Sequence, residues 1–183
     1  MTTQETLVKY LSDMYALEEH IAQPLKSQAK DEDFEPYPEA SALVAKMLAR
    51  TESAMTELET VSKGLGGDAR SGIKSAVTAM AGVAAAVINE ARTHPITKKL
   101  RDDHVALCLA SMGYELLHVT ANALNSPEIG QMALTRLHEL AGIIMESSQV
   151  IIPVAVKELS GTNEVDMTTV ATSQANVKAA WSE

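Results

Sequence analysis

An all-α fold, a bundle of long antiparallel helices, is predicted by three observations. Apolar residues form 46% of the 183-residue chain but aromatic ones only 3%, so the core must be built from Ala, Leu, Val and Met, which favour helices. Apolar positions recur at steps of three and four along long stretches, the spacing of one helix face. No window alternates with the period of two that marks a strand.

The first segment runs from about Thr3 to Ala29, with Leu7, Leu11, Met14, Glu18, Ile21 and Leu25 on one stripe. Pro24 removes one backbone hydrogen bond inside it and is expected to bend the axis. DEDFEPYPE, with two prolines, ends it. The second runs from about Glu39 to Leu65, through Ala40, Val44, Met47, Thr51, Ala54, Leu58, Val61 and Leu65, and GLGGDARSG stops it. A shorter third, about Ile73 to Arg92, carries Ile73, Val77, Met80, Ala84 and Val87 on one face.

The fourth, about Ile96 to Leu124, is expected to face the core with Val105, Leu109, Met112, Leu116, Val119 and Ala123. NSP opens the fifth, with Ser126 as N-cap and Pro127 at the first helical position. This segment continues to about Leu159 through Leu134, Leu137, Ala141, Ile144, Ser148, Ile151 and Ala155, and Pro153 is expected to distort its last turns. Four segments of roughly 27 to 32 residues, or about 40–48 Å at 1.5 Å per residue, match in length and pack as a four-helix bundle. The short segment fits the connection between the second and third long helices.

We therefore divide the chain into a bundle, residues 1–159, and a polar tail, residues 160–183, either loosely docked or packed on a partner subunit through Trp181. With 15 Lys+Arg against 24 Asp+Glu and a net charge of −9, and no basic stretch interleaved with aromatics, a nucleic-acid partner is not expected. The N-terminus lacks an export signal, and AVTAMAGVAAAVI, taken as the longest near-apolar run, is shorter than a bilayer span, so no membrane role is expected. Cys108 is the only cysteine, which precludes an internal disulfide and suits a reducing cytoplasm.

The polar residues on apolar faces carry the functional question. Glu18 lies between Met14 and Ile21 on the seam of the first helix, where an unpaired charge is costly. It is either a metal ligand or a protonated or Arg/Lys-paired core acid. Glu115 and His118 form a Glu-x-x-His pair, a ligand spacing of bundle metal sites, yet both sit at the edge of the stripe read for the fourth helix. They serve equally well as a boundary ion pair. His138 and Glu139 are adjacent and point apart, with His138 favoured by periodicity if one of them reaches the core. His20 is expected to face solvent, and His104 to join a surface polar cluster.

Taken in order, DMYALEEHI, TESAMTELETV followed by GLG, SAVTAMAGVAAAVINEA, RDDHVAL with MGYELL, and LTRLHELA resemble the YciF-like branch of the ferritin-like superfamily over about residues 5–159. Members are bacterial helical bundles linked to stress responses. The resemblance implies a ferritin-like bundle with a two-metal carboxylate site, in which Glu18 matches the first-helix glutamate. It also marks departures. Met47 stands where the second helix normally offers a histidine, and Ala49 or Arg50 replaces an acid. The fourth-helix Glu-His-Tyr-Glu reads Met112-Gly113-Tyr114-Glu115, while His138 and Glu139 match consecutive glutamates.

Two readings follow. In one, the protein is a stress-associated binding or structural bundle with a partly lost di-metal site, Arg50 pairing with Glu18 or Glu115. In the other, it is an iron- or manganese-dependent oxidase, peroxidase-like or iron-handling protein that uses Glu18, Glu115, His118, His138 and Glu139. Pairing of bundles in the superfamily implies a homodimer.

Overall fold

A computed structural model describes residues 2–72 and 95–181. The short segment expected at Ile73–Arg92 lies outside the described residues. Within them the chain is helical, with α1 at Thr3–Gln28, α2 at Pro38–Gly64, α3 at Pro95–Ala123, α4 at Pro127–Ser160 and α5 at Thr169–Ala180. Single 3-10 turns at Glu32–Phe34 and Ala69–Gly72 follow α1 and α2.

Local chemistry sets the helix ends. Thr2 caps α1 in a reciprocal box with Glu5, satisfying two N–H groups at that end. Pro38 and Pro127 open α2 and α4, where a missing N–H costs nothing. The Ser126 side chain makes no cap bond. Its N–H instead donates to Ala121 O at 2.8 Å, closing a turn in which Asn125 takes φ 56°. Glu158, near the far end of α4, accepts from the N–H groups of Ile96 (2.9 Å) and Thr97 (3.0 Å). A carboxylate there complements the positive end of the α3 dipole. Both internal prolines are tolerated, since α1 and α4 run on past Pro24 and Pro153.

α1 packs on α2 and α3, and α4 packs on α3 and α2, closing a ring of four helices around one core. At one end Gln28 meets Asp103 and Lys99 meets Asp31; at the other, Gln4 reaches Leu65 and Val8 lies against Gly67. These contacts make α1 antiparallel to both α2 and α3. The α1 stripe is buried as its spacing requires, from Leu7 through Glu18 to Leu25. α2 buries Ala40, Val44, Met47, Thr51, Ala54 and Leu58, with Val61 and Leu65 only partly covered.

Two faces differ from the sequence expectation. α3 turns Ile96, Leu100, Asp103, Leu107, Ala110, Tyr114, Leu117 and Ala121 inward, and leaves the expected stripe, Val105 to Val119, exposed. α3 is apolar on two sides, and periodicity alone favoured the more hydrophobic one. α4 is offset from its expected face: Ala133, Arg136, Leu140, Ile143 and Ser147 are buried and Ala141 is exposed, while Ile144 and Ser148 of the expected stripe are buried as read.

By length and composition α4, rather than AVTAMAGVAAAVI, is the described helix apolar enough to cross a bilayer. It packs here as a core helix, its buried face against α3 and α2. The tail also takes shape. α5 lies on α4, where Gln174 Nε2 donates to Gln149 O at 3.2 Å, and Trp181 sets its ring edge against His104 with 6.2 Å between centroids. No residue of α5 is buried.

A polar pair lies inside one end of the bundle. Gln28 Nε2 donates to Asp103 Oδ1 at 3.0 Å, and Asp103 Oδ2 has no partner. Burial pushes the Asp103 carboxyl up to about 7, against the pull of Gln28.

Removing volume from the true inner face should cost far more than altering the flank. Leu107→Ala is expected to lower unfolding stability by about 2–5 kcal/mol and Glu115→Ala by no more than about 0.5 kcal/mol in urea titrations. The reverse order would contradict the α3 orientation. Asp103 gives a pH signature. Its folded pKa exceeds the unfolded value of about 3.9, so the folded state holds more protons between those limits and stability falls as pH rises from about 4 to about 7. Asp103→Asn should remove that fall, gaining on the order of 1–3 kcal/mol over the parent at pH 8 and nothing near pH 4. Equal pH slopes in the two proteins would refute this.

Candidate functional site: a buried Glu–Arg–Tyr cluster

Glu18 is fully buried, midway along α1. Its α1 neighbours Met14, Tyr15, Ala16, Leu17 and Ile21 are buried too, so no water route is offered along its own helix. Arg50 on α2 approaches it with one terminal nitrogen, Nη1 donating to Oε1 at 2.6 Å and to Oε2 at 2.8 Å. From α3, the Tyr114 hydroxyl donates to Oε1 at 2.8 Å. The Arg50 guanidinium carbon stands 5.4 Å from the centre of the Tyr114 ring, close enough for a cation–π contact. Three helices are thus tied together through one carboxylate.

Burial pushes the Glu18 carboxyl up, opposed first by the Arg50 charge and then by the Tyr114 and Arg50 hydrogen bonds. Tyr114 is held well above its ordinary range, by burial and then by the adjacent Glu18 charge, so its hydroxyl remains a donor. Arg50 Nε and Nη2 are buried without a partner. Its guanidinium is therefore spent on Glu18 and on the face of Tyr114.

Met47 and Gly113 each have a packing account. Met47 is wholly buried and contributes to the core rather than to a polar centre. Gly113 leaves room for Met14: a Cβ at position 113 would lie 2.5 Å from Met14 Sδ and 3.1 Å from Met14 Cε. The space beside position 113 is filled by a thioether from α1.

The other sequence-derived candidates lie elsewhere. Glu115 is exposed on α3. His118 is half-buried, its Nδ1 2.7 Å from Gly130 O, with Asn122 alongside. His138 and Glu139 are both exposed, so neither turns to the core, and Glu139 pairs with Arg136 at 2.8 Å. Among the described residues no three His, Cys, Asp or Glu side chains converge as a metal site. A dinuclear centre needs carboxylates bridging ions about 3.5–4 Å apart. Glu18, with both oxygens bound to a cation and a hydroxyl donor beside it, does not supply that. The described residues do not fit the two-metal group.

Sequence reasoning missed two participants. Tyr114 shares a register with Leu107, Ala110, Leu117 and Ala121, which would have placed it inward had that face of α3 been chosen. Arg136 is buried on α4, where Nε donates to Glu57 at 2.6 Å and Nη2 to Ser53 at 3.3 Å. It adds a positive charge near Glu18 and Tyr114. Its spacing from Ala133 and Leu140 was the available signal. A pocket of about 270 Å³ beside the turn after α1 is lined by Gln28, Asp31, Phe34 and Ser41 and does not include Glu18.

A double-mutant cycle tests the pair. Arg50→Met should lower stability by about 3–5 kcal/mol by stranding a buried carboxylate, and adding Glu18→Leu should recover most of the loss. Additive losses in urea titrations would show that the two side chains do not act together.

No curated protein and no solved structure matches the chain. One family model does, described as a domain of unknown function, DUF892, over residues 2–139. That span includes α1, α2 and α3 with Glu18, Arg50 and Tyr114, and by this match the chain belongs to the DUF892 family.

Proposed function

We propose that this chain is a ferritin-like bundle of the YciF-like kind in which an internal Glu–Arg–Tyr cluster replaces the two-metal centre, and that it acts as a stress-associated binding or structural protein. The observation that carries this reading is Arg50 Nη1 donating to both oxygens of the fully buried Glu18. A guanidinium of the protein's own already engages both carboxylate oxygens. The guanidinium is charged at all accessible pH values, so it does not leave by deprotonation. Methionine at position 47 removes a nitrogen donor that borderline metal ions prefer. An oxidase or iron-handling reading requires Glu115, His118, His138 and Glu139 to join Glu18, and their positions on the outer and flanking surfaces give it no support.

Elemental analysis of the full chain, purified without chelator and then dialysed against ferrous or manganous ion, tests this. Well below one ion per chain is expected, with no change in Glu18→Gln. One ion per chain that disappears in Glu18→Gln would overturn the proposal.

A further inference from the structure

Gln28 is the last residue of α1 and holds the chain in two directions. Its carbonyl accepts from the Asp31 N–H at 3.1 Å, which starts the turn after α1, while its side chain crosses to α3 and donates to Asp103. Three residues on, the Asp31 carboxylate accepts from Lys99 Nζ at 2.5 Å and from the Asp33 N–H at 3.0 Å. Lys99 and Asp103 lie one turn apart on α3 and share a face. Two neighbouring contacts therefore fasten the turn to α3.

The Gln28–Asp103 contact is half complete. An amide head and a carboxyl group each carry a pair of hydrogen-bonding atoms. Nε2 and Oδ1 are joined at 3.0 Å, whereas Gln28 Oε1 and Asp103 Oδ2 are buried without a partner. The two residues are 8% and 5% exposed, so each unserved oxygen bears the cost of its lost hydration. A carboxylate oxygen and an amide oxygen can only accept, and neither satisfies the other. A proton on Oδ2 changes this. The carboxyl becomes a donor, Gln28 Oε1 is the unserved acceptor on the group already bonded to it, and the pair closes into a ring.

The charges around Asp103 favour the protonated form. On α3, Arg101 is bonded to Asp102 at 2.7 Å, Lys99 serves Asp31 and Asp33 in the turn, and His104 meets Ser147 at 2.6 Å. On α1, Lys26 pairs with Glu52 at 3.3 Å. From α4, Lys157 reaches the Pro36 carbonyl and Glu158 takes the N–H groups of Ile96 and Thr97. The Asp102 charge further opposes ionisation of its neighbour.

We propose that Asp103 and Gln28 share one proton in a cyclic acid–amide pair, and that this pair is a proton-released latch between the end of α1 and α3. When the proton leaves, Oδ2 and Oε1 repel each other and the new buried charge must reach water or a cation. Lys99, on the same face, is drawn from Asp31 toward Asp103. The turn loses both fastenings together, and with them one wall of the pocket of about 270 Å³ lined by Gln28, Asp31, Phe34 and Ser41. The closed latch holds its proton up to about 7, and an acid released to water titrates near 3.9. Opening therefore releases a proton between those limits, becomes easier by up to about tenfold per pH unit, and levels off above about 7. None of this depends on what neutralises Glu18, so a metal measurement does not bear on it.

Two measurements on the full chain test the latch. Amide hydrogen exchange, with the intrinsic pH dependence divided out, should show protection of the Asp31, Phe34, Glu35 and Tyr37 N–H groups falling by up to about tenfold per pH unit from about pH 5 to about pH 7, then levelling. In Asp103→Asn a side-chain N–H takes the place of the acid O–H, and protection should stay high and level. A double-mutant cycle of Gln28→Leu and Asp103→Leu then locates the proton. The neutral pair makes two bonds and the ionised pair one, so coupling should be stronger at about pH 5 than at about pH 8. Coupling that grows with pH, as a lone bond to a carboxylate would give, would overturn the proposal. Protection that ignores pH in the parent, or that falls equally in Asp103→Asn, would overturn it too.

Discussion

A carboxylate withdrawn from water must be compensated inside the protein, and the rest of this bundle is arranged around how Glu18 achieves that. The compensation comes from two other helices, Arg50 on α2 and the Tyr114 hydroxyl on α3. Interdigitated apolar side chains hold position by shape, and a buried charge pair adds a directional constraint to that. A hydrogen-bonded charge pair does not tolerate sliding, since a shift of one turn would strand both ions in a medium that solvates neither. The cluster therefore acts as a registry pin for α1, α2 and α3, while the leucines around it supply most of the burial energy. The partnerless Arg50 Nε and Nη2 show that fixing the pair leaves other donors unserved.

α4 is held by a second polar arrangement. Arg136 reaches Glu57 and Ser53 on α2 from a mostly buried position, and Glu158 bonds the first N–H groups of α3. Each long helix is thus joined to a neighbour by at least one directional contact as well as by its apolar face.

The sequence revealed the helix boundaries closely and the helix faces less well, for different reasons. Boundaries depend on local chemistry, namely the prolines at 38, 95 and 127 and the glycines after Lys63, and these act alike in any tertiary setting. Faces depend on the neighbours. In α1 the stripe from Leu7 to Leu25 is continuous and is buried as read, so Glu18 was placed in the core from its spacing alone. In α3 the outward Val105–Val119 side is more hydrophobic than the inward side, which contains Asp103 and Tyr114. A rule that buries the most apolar stripe chooses wrongly there. The same error moved attention to Glu115 and away from Tyr114. Arg50 was within reach because it stood at a position where the family pattern has an acid, whereas Arg136 had no such marker. The shorter segment at Ile73–Arg92 lies beyond the described residues.

The Met14 thioether seated over Gly113 shows how closely α1 and α3 approach. A Cβ at position 113 would lie 2.5 Å from the Met14 sulfur, so any larger residue there obliges that side chain to swing aside. The two helices meet here through the one residue without a side chain and a thioether with several rotatable bonds, which leaves the contact adjustable where the neighbouring Glu18–Tyr114 bond is not.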